Sequence, residues 1–183
     1  ALPISPGPTC DGALGYAEAF GGRRTFLLRP DHLAAIKARS TTDEALKPAR
    51  VAVLRRADAA LARPAYTVVD KTRLPASGDP HDYMSIGPYW WPDPDRPDGL
   101  PYVRRDGQVN PERATNAFDA TDMESMSRDV QALSLAYYLT DDERYATKAA
   151  ELVRVWFLAP ETRMNPNLNH AQAVPGREAG RAE

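Results

Sequence analysis

The chain is poor in most of the features that announce a function. Of its 183 residues one is a cysteine, Cys10, so it holds no internal disulfide framework and no multi-cysteine zinc site. No apolar run is long enough for a membrane span, so no membrane partner is expected. Its 23 Lys and Arg stand against 25 Asp and Glu, a formal net charge of −2. That balance gives no basic field to follow a phosphate backbone, which argues against nucleic acid as a partner. There is no Gly-rich phosphate loop and no internal repeat, and no segment shows strand alternation of useful length. A zinc site gathering His32, His81 and His170 with Asp82 is the rival to a metal-free reading. Their spacings match no established ligand pattern, so neither metal nor organic cofactor is expected.

What the chain does have is helical periodicity interrupted by one long aromatic segment. Residues 1–30 are rich in Pro and Gly and read as an extended arm in which Cys10 is an unpaired thiol. A helix is expected to begin at "RPDHLAAIKAR" with Asp31 as N-cap. Leu46, Ala49, Val53, Ala57 and Leu61 then recur three and four apart, the face of an amphipathic helix with Pro48 in its first turn. In "TDMESMSRDVQALSLAYYL", Thr121 and Glu124 have capping-box spacing and Met123, Met126, Val130, Leu133 and Tyr137 form a stripe. After a break at Thr140 and Asp141, Tyr145, Ala149, Leu152 and Trp156 form a second stripe, and so tight a turn predicts an antiparallel helical hairpin. These stripes are core positions, and the fold class is all-α with long loops, residues 31–183 forming the helical domain. The polar run "PGREAGRAE" reads as an interrupted end, with further sequence or a second polypeptide completing the fold.

The aromatic segment "HDYMSIGPYWWPDPDRPDGLPYVRRDGQVNPE" carries two tryptophans, three tyrosines, six prolines and six acidic residues. A loop of that length is functional or disordered, and its aromatic content argues against disorder. Farther on, "MNPNLNHAQAVPG" crowds Asn165, Asn167, Asn169, His170 and Gln172. Asparagine and neutral histidine donate hydrogen bonds without a permanent charge, which suits a carboxylate or enolate that gains charge during a reaction. Histidine also exchanges a proton near neutral pH. A role for the asparagines in turns and caps accounts for the same tract.

Together these two stretches resemble the alginate lyase superfamily of (α/α) toroid polysaccharide lyases, closest to those acting on mannuronan or glucuronan. The Tyr-Trp-Trp-Pro segment is the specific part. The resemblance implies that the chain is the N-terminal portion of a toroid whose partner is an acidic polysaccharide, in a periplasmic or secreted location. It implies cleavage of a uronate 1,4-linkage by β-elimination, with Asn169 and His170 neutralising the carboxylate next to C5. It further implies a tyrosine as proton donor, expected downstream of His170, where this chain has none; Tyr83 and Tyr89 are the substitutes. Tyr83, Tyr89, Trp90 and Trp91 are then expected to line the groove, since aromatic rings pack on the C–H faces of sugars. One of the two tryptophans is expected to pin the loop while the other faces sugar. Arg104 or Arg105 is expected to pair with uronate carboxylates, and His81, Asn167 and Gln172 to contact substrate. A non-catalytic uronan-binding helical module is the second reading.

Overall fold

The computed structural model describes residues 28–177, so the arm up to residue 27, with Cys10, and the last six residues lie outside it. The chain divides into two compact units, residues 1–52 and 53–183. In the first, helix α1 spans Pro30–Arg39 with Arg29 at the N-cap position, two residues before Asp31. The proline explains the displacement, because its fixed φ and missing N–H suit the first helical position. Asp31 then lies in the first turn, where it favours the positive end of the helix and bridges Arg29. Helix α2 (Lys47–Leu61) carries Pro48 at its second position, as the missing N–H requires.

In the second unit, the C-terminal half of α2 packs with α3 (Ala120–Thr140) and α4 (Glu143–Phe157). Ala57, Ala60, Met126, Leu133, Ala136, Tyr145, Leu152 and Trp156 form its buried centre. Helices α3 and α4 are joined through Asp141, which adopts a left-handed φ of 57°, and Asp142, whose carboxylate caps α4 by accepting from Arg144 N–H at 3.0 Å. A two-residue link leaves the helices no route but to run antiparallel against each other. Across the core, the Tyr145 hydroxyl donates to Asp58 at 2.7 Å.

The capping box is absent. Helix α3 starts one position before Thr121, at Ala120, and its N-cap Asp119 makes no side-chain cap bond because that carboxylate serves two other donors. Buried Asp119 accepts Met84 N–H at 2.7 Å and faces the ammonium of Lys71 at 3.1 Å. Lys71 also donates to the carbonyls of Val68 and Pro80. Both side chains of this ion pair are 1% exposed. A charge so far from water persists only when its hydrogen-bonding capacity is met, and here three oxygens meet it.

The long aromatic segment also holds short strands that its sequence does not announce. Strand β2 (Trp90–Trp91) pairs antiparallel with β3 (Val103–Arg104), and β1 (Met84–Ile86) pairs parallel with β4 (His170–Ala173). They enclose a second apolar cluster of Met84, Ile86, Trp90, Tyr102, Phe118, Ala173 and Val174. Clusters this small, with strands this short, rely on added polar ties. Arg73 donates to the Tyr102 hydroxyl at 3.1 Å and to Glu112 at 3.2 Å, while Asn110 donates to the Trp90 carbonyl at 2.9 Å.

Candidate functional site

Parallel strands cannot be joined by a tight turn, so the chain between β1 and β4 must make a crossover, and α3 and α4 lie on it. The pairing sets Met84 opposite His170. It therefore places the start of the aromatic segment beside the asparagine-histidine tract, two stretches 86 residues apart in sequence.

Asp82 is the hub of their meeting. Its Oδ1 accepts from Asn165 at 2.8 Å and from Asn167 at 3.1 Å, and its Oδ2 accepts from Ser77 at 2.7 Å. Nε2 of His170 stands 3.5 Å from Oδ2. Burial alone would push the Asp82 carboxyl up; the hydrogen bonds from Asn165, Ser77 and Asn167 and the charge of His170 outweigh it. The group is held below the usual carboxylate range. Asp82 is thus a fixed anion at neutral pH, and it stands beside the Nε2 side of the His170 ring. Asn165 also donates to Asp79 at 3.0 Å. The asparagines therefore do double work: Asn165 and Asn167 hold the hub, while the Asn167 side-chain oxygen accepts Asn169 N–H at 3.1 Å. The Asn169 side chain is exposed, and among the described residues it has no hydrogen-bond partner.

The other expected site residues separate into three groups. Tyr83 is 8% exposed and belongs to the helical core with Met126 and Leu133. Burial pushes its phenol up, and its ring packs in the helical core and not on the exposed aromatic surface. Trp90, 9% exposed, is the pinning ring, buried with Tyr102 and Phe118. Tyr89 is 39% exposed, and Trp91 is half-buried with its indole N–H donated to the Gln108 carbonyl at 2.8 Å. The Arg105 guanidinium lies 5.6 Å from the centre of the Trp91 ring. Tyr89, Trp91 and Arg105 thus supply an aromatic and cationic surface. Arg104 instead turns to Asp106 at 2.6 Å.

His81 Nδ1 is 2.7 Å from the Arg163 carbonyl, which can only accept, so Nδ1 carries the proton. Gln172 is exposed at a left-handed φ of 51°, its backbone N–H donated to the Ser85 hydroxyl at 2.9 Å. A pocket of about 170 Å³ opens beside His170. Among the described residues no three His, Cys, Asp or Glu side chains are gathered to hold a metal ion, and no helix is long and apolar enough to cross a membrane. The roles of Asp82, Ser77 and Asn165 as a support for His170 were not foreseen. The signal available was an asparagine-rich tract, Asn-Pro-Asn, and an aspartate adjoining a histidine, and neither says which bonds which.

Comparison with known proteins adds an independent line. No curated protein matches the chain. The crystal structure of an alginate lyase from Bacteroides ovatus is similar to it, with 48% sequence identity and a TM-score of 0.75. The likeness covers 82% of this chain and 39% of that one, so the chain spans about two fifths of the length of its solved relative. The mainly helical fold is that of part of a helical toroid. A profile of the alginate lyase family matches residues 67–183, a range that holds the helical hairpin, the aromatic segment and the Asp82–His170 site alike; the chain belongs to the alginate lyase family.

Proposed function

We propose that the chain forms the carboxylate-neutralising side of a polysaccharide lyase site acting on a β-1,4-linked polyuronate, mannuronan or glucuronan. The observation that carries this reading is the β1–β4 pairing, which sets His170 against Asp82 and leaves the Asn169 amide facing outward beside it. The chemistry has one difficulty at its centre. Removing the proton at C5 puts negative charge next to a carboxylate that is already an anion.

Asn169 donating an N–H, and His170 donating from Nδ1 as an imidazolium beside the Asp82 anion, lower that charge. A general base takes the C5 proton, the electron pair left at C5 forms the C4–C5 double bond as the C4–O4 bond breaks, and a general acid, for which exposed Tyr89 is the candidate in this chain, gives its proton to O4. Asp82 does not touch substrate in this scheme; it holds the imidazole so that its remaining edge is presented. Among the described residues Tyr89 is the exposed tyrosine of the aromatic segment and is the one placed to meet a sugar. Mannuronate and glucuronate differ at C2 and share the configuration at C4 and C5, so one geometry serves both. A polymer of either kind does not cross membranes, which supports a place for the protein in the periplasm or the exterior.

The test is the ultraviolet absorbance of the unsaturated product when the protein meets mannuronan, guluronan and glucuronan in parallel. A rise with mannuronan or glucuronan is expected. His170→Ala should abolish it while the helical circular dichroism is retained. Binding of uronan with no absorbance change in the wild type would replace the lyase reading by that of a binding module.

A further inference from the structure

The pocket beside His170 is lined by apolar groups, Leu74, Leu100 and Val174 among them, together with Arg73, His170 and Arg177. Its volume, about 170 Å³, is of the size of one pyranose ring. Counting its charges shows what it lacks. Arg73 is engaged by Glu112 at 3.2 Å, and that carboxylate also receives the Tyr102 hydroxyl at 2.5 Å. His170 faces Asp82. Arg177 is different: among the described residues no carboxylate pairs with it, and its guanidinium lies over Trp90, 4.8 Å from the ring centre.

Stacking on an indole fixes the plane of a guanidinium and leaves its N–H edge free to point away from the ring. That edge is the part that grips a carboxylate in two parallel hydrogen bonds. The backbone that delivers Arg177 is also fixed. Tyr102 N–H donates to the Pro175 carbonyl at 2.9 Å, Arg177 N–H donates to Val174 at 3.0 Å, and Val174 is buried. Gly176 sits at a φ of 85°, and a Cβ there would come within 2.6 Å of Pro101 Cα, so the turn admits only glycine.

We infer that this pocket is a uronate subsite in which Arg177, held on Trp90, binds the carboxylate of one sugar while Leu74, Leu100 and Val174 receive the C–H face of its ring. This rests on the polyuronate reading above and adds to it the residue that reads the acidic group. It stands beside the expected Arg104 and Arg105, of which Arg104 turns to Asp106 and Arg105 lies over Trp91.

The test uses methyl β-glucuronide and methyl β-glucoside, which differ only in the carboxylate and have no uronosyl bond to eliminate. Nuclear magnetic resonance titration of the wild-type chain should show tighter binding of the glucuronide. Arg177→Ala should weaken glucuronide binding about tenfold, the loss of a hydrogen-bonded charge, and leave the glucoside unchanged. Arg177→Lys, which keeps the charge and loses the fork, should fall between them. An unchanged preference in Arg177→Ala, or no preference in the wild type, would overturn the subsite. A failed absorbance test with an intact Arg177-dependent preference would instead remove the lyase chemistry and leave the subsite standing.

Discussion

The second compact unit contains two regions held together by different forces. The helical region around Leu133, Leu152 and Trp156, all without measurable exposure, is a cluster of apolar side chains whose cohesion follows the area removed from water. The region of β1 to β4 has a smaller apolar cluster and depends on placed charges: Lys71 with Asp119, Arg73 with Glu112, and the donors around Asp82. Apolar burial tolerates small shifts and responds little to pH. Hydrogen-bonded charges do neither, but they fix side chains to within the tolerance that substrate positioning demands.

The largest effect should come from breaking the polar region at its most buried point. Asp119→Ala leaves the Lys71 ammonium buried without its partner and is expected to cost about 3–5 kcal/mol. Thermal unfolding measures the loss, and hydrogen exchange should show it first at the Met84 amide, which loses its acceptor. Leu133→Ala tests the apolar region and should cost about 2–5 kcal/mol, the range for a leucine truncated in a packed core. Here the exchange should rise in α3 and α4 before β1. If both variants loosened the same amides, the distinction between the regions would collapse.

The smallest and sharpest contrast is in pH. Asp119 is pushed up to about 6, chiefly by burial and against the Met84 amide and Lys71, so the folded chain holds its proton more tightly than the unfolded chain. Its contribution to stability therefore declines as pH rises from about 4 through about 6. Asp82 is shifted the other way, so its contribution is present above the ordinary carboxylate range and is lost as pH falls through its lowered value. Denaturant midpoints of the wild type, Asp119→Asn and Asp82→Asn between pH 3 and 8 separate the two. Equal pH slopes in both variants would contradict the opposite signs.

The same division explains what was legible in the sequence. The helices α2, α3 and α4 announce themselves because burial repeats with the helical period, and the stripes through Met126, Leu133, Leu152 and Trp156 are core positions. The separate fates of Trp90 and Trp91 follow from alternation along β2, which needs the partner β3 to be known. Tyr83 reads as a platform residue by its company, yet it turns to the helical core, because the first residues of the segment are what join the two regions. Asp119 reads as an ordinary residue before a helix. Its tie to Lys71, 48 positions earlier, leaves no local pattern. Arg177 is equally silent, since nothing in "VPGRE" says that the turn at Gly176 ends over an indole.

The parallel pairing of Met84 with His170 also sets an order of events during folding. Contacts between neighbours on a helix form with little loss of chain entropy, whereas joining residues 86 positions apart requires the intervening chain to be closed into a loop. Helices α3 and α4 lie within that interval, and their collapse shortens the distance the ends must find. On a ribosome, the first half of the site must wait, complete but unpaired, until the hairpin has been made and residue 170 has emerged. Assembly of the candidate site is therefore a late step that reports on the success of the earlier ones.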